Sequence, residues 1–94
     1  MSERARLLTA ADAIRIMVHF DRMWRRLTGR HKMKNVPTED RTEFAAIQTL
    51  FAAIAISQVG YEEVHRMIGT YFMDGNQLKR LRRYLLNGKI LEER

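Results

Sequence analysis

The chain has 94 residues, 46% hydrophobic and 30% charged, with a formal net charge of +6. That is the length of a single domain, 1–94, with enough apolar material for a modest core and a composition that disfavours disorder. Cysteine is absent, which excludes disulfides and thiolate metal sites, and His19, His31 and His65 fall at no metal-ligand spacing, so no cofactor or metal is expected.

The N-terminus, "MSERARLL", has no apolar run leading to a small-residue cleavage site, so a cytoplasmic location is expected. Residues 7–28 have a helical period, with Ala13, Ile16, Met17, Phe20, Trp24 and Leu27 on one side, Met23 at its edge, and Arg15, His19, Arg22 and Arg26 opposite. This pattern predicts a first helix from about residue 4 or 9 to 28, stopped by Gly29. The following loop, "RHKMKNVPT", is basic, and Arg30, Lys32 and Lys34 are candidate contacts to a phosphate backbone.

Asp40 and Glu43 have capping-box spacing and predict a second helix starting near 40. Its Phe44, Ile47, Leu50, Phe51, Ile54 and Ile56, interspersed with five alanines, make it apolar almost all round and mark it as the buried centre. The strongly apolar part, 44–56, is too short to cross about 30 Å of hydrocarbon, so no membrane partner is expected.

"YEEVHRMIG" predicts a short third helix over 61–68, with Tyr61, Val64, Met67 and Ile68 inward and Gly69 as its cap. Asp74 or Asn76 caps the fourth helix, which Gly88 ends. Within that helix Leu78, Leu81 and Leu85 fall within about 60° of one another, while Asn76, Lys79, Arg80, Arg83 and Asn87 span about 100° on the other side. The remaining "KILEER" reads as one short strand or a tail. The fold class is therefore all-α: a compact four-helix domain containing a helix-turn-helix-like pair, with at most one short C-terminal strand.

Charge is unevenly placed: residues 1–34 carry +6, 35–75 carry −4 and 76–94 carry +4. Cations clustered at both ends raise the local potential and attract nucleic acid or other anionic surfaces. No catalytic constellation is legible, because Glu62 and Glu63 are adjacent on a helix and no glycine-rich phosphate loop or nucleophile elbow occurs. The protein is not expected to be an enzyme.

A short helix followed by one with a basic outer face can place the second in a major groove about 12 Å wide while its apolar face stays in the core. On that reading Asn76, Lys79, Arg80 and Arg83 face double-stranded DNA, and Arg82 reaches a phosphate from the flank. "EVHRMIG" at 63–69, Asp74 with Leu78, Leu81 and Leu85, and "NGKI" at 87–90 resemble the second-to-third helix stretch, the recognition helix and the step into the first wing strand of MarR/SarA-type winged-helix transcription regulators. The resemblance covers about residues 43–91. It implies a small dimeric regulator with helix 74–87 in the major groove and helix one near the dimer interface. The same basic faces would also suit a small helical inhibitor or adaptor that docks on an acidic protein partner.

Overall fold

Thr9 fixes where the first helix begins. In a computed structural model that describes residues 8–28, 36–71 and 75–93, the Thr9 hydroxyl accepts the Asp12 N–H at 3.1 Å and the Asp12 carboxylate accepts the Thr9 N–H at 3.4 Å. This reciprocal capping box satisfies two donors that a helix start leaves open. It sets α1 at Ala10–Leu27, and Thr28 closes the helix by donating its hydroxyl to the Trp24 carbonyl at 2.8 Å. The expected stop at Gly29 and the loop with Arg30, Lys32 and Lys34 lie outside the described residues.

Helix α2 spans Thr38–Val59 with Pro37 at its N-cap position and no side-chain cap. The helix thus starts two residues before Asp40, so Asp40 and Glu43 do not form the expected capping box. Glu39 and Asp40 instead sit in the first turn, where the helix dipole favours negative charge. Gly60, with φ 89°, makes the corner into α3, Tyr61–Tyr71. Gly69 is therefore inside α3 rather than its cap.

Helix α4 runs Gly75–Glu92 and passes straight through Gly88. The expected stop at Gly88 and the short strand after it are both replaced by helix, and no strand occurs among the described residues. Gly88 serves packing instead: a Cβ there would lie 2.8 Å from Ala52 Cβ and 2.9 Å from the Ala53 nitrogen. Bare backbone at 88 facing alanines at 52 and 53 lets α4 lie close on α2.

The fold is all-α, four helices with α2 packed against each of the others. Helix α1 runs antiparallel to α2: Gln58 donates to the Leu8 carbonyl at 2.7 Å, buried Gln48 donates to the Met17 carbonyl at 2.9 Å, and Phe20 lies 5.0 Å from Phe44. The core gathers Ile14, Met17, Ala52, Val64, Ile68, Leu81 and Leu85. Val64 and Ile68 of α3, and Leu81 and Leu85 of α4, are the inward residues that helical spacing predicted.

Two faces depart from expectation. The buried side of α1 is Ala10, Ala13, Ile14, Met17, Val18 and Asp21, rotated from the predicted one, leaving Ile16, Met23 and Leu27 exposed. On α2, Phe44 and Ile56 are buried as expected, but Ile47 and Leu50 are exposed, so α2 is central without being enclosed. Helix α2 is long and apolar enough to cross a membrane by length and composition alone, a test that core helices also pass, and only a third of its apolar window is buried.

Candidate polyanion-binding cleft

Asp21 falls on the docked side of α1, where an acid is costly to bury without partners. It is 1% exposed. Its Oδ2 accepts Gln77 Nε2 at 3.0 Å and Arg80 Nη2 at 3.0 Å, while Oδ1 accepts Arg80 Nε at 3.3 Å. Gln77 and Arg80, three apart on α4, share the face that meets Asp21. The two-pronged guanidinium contact fixes geometry as well as neutralising charge. One carboxylate therefore ties α1 to α4.

An aromatic cluster holds the same region in place. Phe44 of α2 stacks on Trp24 at 4.7 Å and 10°, tilts against Phe20, and meets the edge of Tyr84 at 5.9 Å. Such pairs add to simple area burial. They seat the C-terminal half of α1 and the middle of α4 against one point of α2.

Between α1 and α4 lies an open cleft of about 320 Å³ lined by Asp21, Arg22, Arg25, Arg26, Gln77 and Arg80. Burial pushes the Tyr84 phenol above its ordinary value, and the Asp21 carboxylate pushes the same way; Arg80, Arg83 and Arg25 pull it back. Arginines of both helices thus act on one side chain. Arg22, Arg25, Arg26, Lys79 and Arg83 are exposed. Among the described residues, ion pairs engage Arg15, Arg66 and Arg80 and leave these five cations out. The Arg66 hydrogen bond holds Glu63 below the usual carboxylate range, but that pair is exposed on α3 and neither residue lines the cleft.

The residues expected to contact DNA divide accordingly. Lys79 and Arg83 are exposed on the outer side of α4, as expected. Asn76 is exposed and makes an interaction within the chain. Arg80 departs from expectation: its side chain is only 25% exposed and its guanidinium fork is held by Asp21 rather than turned outward like Lys79 and Arg83. Arg82 is exposed but sits about 160° around the helix from Arg80, away from the cleft. Arg30, Lys32 and Lys34 lie outside the described residues.

Sequence reasoning treated the cations of α1 and α4 as separate stripes, and it missed Asp21, Gln77 and Tyr84. The available signal was Asp21 itself, a lone acid in line with Ile14, Met17 and Trp24 on an otherwise apolar arc. No group of three or more acidic or histidine side chains among the described residues could hold a metal ion. The chain matches no family model, no curated protein and no solved structure.

Proposed function

We propose that the protein binds duplex DNA through the phosphate backbone, using the cleft between α1 and α4. The observation that carries this reading is the meeting of two basic helix faces around one neutralised acid. Arg22, Arg25 and Arg26 line the cleft from α1, and exposed Arg83 lies about 60° around α4 from the cleft residue Arg80. Phosphate contacts of this kind supply affinity and register, and release counterions as they form. The Asp21–Arg80 pair plays a positioning part by holding the two cationic faces side by side.

This arrangement supports backbone binding more directly than base reading. Lys79 and Arg83 remain outward on α4 for a groove, but Arg80, one of the four residues expected to face DNA, is occupied by Asp21. The stretch 87–90, which should enter a wing strand in a winged-helix regulator, is helical. A small DNA-binding regulator built this way takes most of its affinity from electrostatics and shows modest sequence preference.

The test is binding of a fluorescent duplex at low ionic strength by the wild-type chain and by an Arg25→Gln/Arg83→Gln variant. The proposal expects binding that the double substitution weakens at least about tenfold, the result of losing two phosphate contacts. Equal binding by both proteins would assign the affinity elsewhere. Failure to bind duplex, together with capture of an acidic protein after nuclease treatment, would favour the adaptor reading instead.

A further inference from the structure

On the other side of α1, an open groove of about 550 Å³ runs between α1 and α2, floored by Ile16, Phe20, Met23, Ile47 and Phe51, with Arg15 and His19 on its α1 rim. The apolar surface continues past it. Ile16, Phe20, Met23 and Leu27 follow one another at i, i+4, i+7 and i+11 and fall within about 60° on α1, and Leu27 is 75% exposed. Leu50, 54% exposed, widens the α2 wall beside Ile47. About three turns of α1 thus carry an apolar strip open to water.

A cationic edge runs beside that strip for its whole length. Arg15, His19, Arg22 and Arg26 repeat the same spacing, fall within about 60° of one another and are all exposed. Arg15 meets Asp12 at 3.4 Å in an exposed pair, a kind that contributes little, and the ion pairs among the described residues leave Arg22 and Arg26 out. Phe20 and Trp24 meet Phe44, so the exposed acids Glu39 and Glu43 belong to the α2 wall at the Met23 end. From the length of the strip and the sign of its long edge we infer that the groove takes an amphipathic helix of a partner protein, about three turns long, with aliphatic or aromatic residues on its buried side and Asp or Glu along the edge that faces α1.

Helices that lie in grooves anchor through residues three and four apart, the period this strip offers. Charge complementarity selects the acidic edge and sets its direction: the partner's other edge passes Glu39 and Glu43 and is neutral or basic there. A second copy entering through its own α1 would set cation against cation. A bilayer is flat where this surface is concave, and an anionic one would meet Glu39 and Glu43. A small apolar ligand would stay half in water, because the groove is open along its length. Arg22 also lines the cleft between α1 and α4, but none of the apolar floor residues does.

Fluorescence anisotropy tests the inference with a labelled probe helix of about four turns, carrying Leu at i, i+4, i+7 and i+11 and Glu along one flank. A second probe has Lys in place of Glu, and a third has the Glu probe's residues in scrambled order. The Glu probe is expected to bind at least about tenfold more tightly than either control. Ile47→Glu or Met23→Glu, each at a position 39% exposed in the chain, should weaken it about tenfold or more with helicity and duplex binding unchanged, and Arg15→Glu should weaken it about threefold. The inference is overturned by no saturable binding of the Glu probe, by equal binding of the Lys or scrambled probe, by affinity that survives both Ile47→Glu and Met23→Glu, or by flotation of the chain on phosphatidylglycerol vesicles that Ile47→Glu abolishes, which would assign the face to lipid. Absence of duplex binding with probe binding intact would count against the cleft alone.

Discussion

Arg80 and Asp21, 59 residues apart in the chain, form a two-pronged ion pair that joins the last helix to the first. Removing either member leaves the other's charge without its partner in a largely dry setting. Arg80→Ala is expected to lower stability by about 3 kcal/mol, at the low end for buried pairs because Arg80 retains some exposure. Asp21→Leu combined with Arg80→Met should cost less than the two single changes added together. Urea unfolding midpoints of the four proteins check this; strict additivity would show that the pair is not coupled.

The glycines of α3 and α4 should respond in opposite directions. Gly69→Ala meets nothing within 4 Å and should stabilise by roughly 0.5 to 1 kcal/mol, the usual penalty of glycine in a helix. Gly88→Ala pushes a methyl into Ala52 and the Ala53 backbone and should destabilise by about 1 to 3 kcal/mol despite the same gain in propensity. Thermal midpoints for both variants decide the point, and a gain at position 88 would mean that α4 does not rest on α2 there.

Tyr84 makes stability depend on alkaline pH. Its folded phenol titrates above the ordinary value, mainly through burial, so the unfolded chain loses that proton first as pH rises. The contribution is whole below the unfolded value of about 10 and disappears as pH climbs through the folded one. As pH rises past about 10 the wild-type chain should therefore lose stability more steeply than Tyr84→Phe. Parallel slopes from denaturant titrations at each pH would remove Tyr84 from the account.

Much of this architecture can be read from residue spacing, and the misses have physical causes. The helical period finds the inward sides of α3 and α4, because Val64, Ile68, Leu81 and Leu85 leave one narrow apolar arc to bury. On α1 and α2 the apolar arcs are wider than the surface available to cover them, so spacing alone does not say which part docks, and Ile16, Ile47 and Leu50 stay out. Gly88 reads as a stop because glycine favours helix ends; only the packing partner at Ala52 shows its other use. The cleft is the least legible feature. Its two halves lie more than 50 residues apart, and although Asp21 stands out as an acid on an apolar arc, spacing along one helix does not show which residues of α4 it meets.

The salt dependence of duplex binding tests the central claim most directly. With Arg22, Arg25, Arg26 and Arg83 each neutralising a phosphate, log affinity should fall against log salt with a slope of about −3 to −4, and Arg25→Gln or Arg83→Gln should each make it shallower by about 1. Arg82→Gln, on the far side of α4, should leave the slope unchanged. A slope that none of the cleft arginines alters, or one that Arg82→Gln shifts as much as they do, would contradict the account.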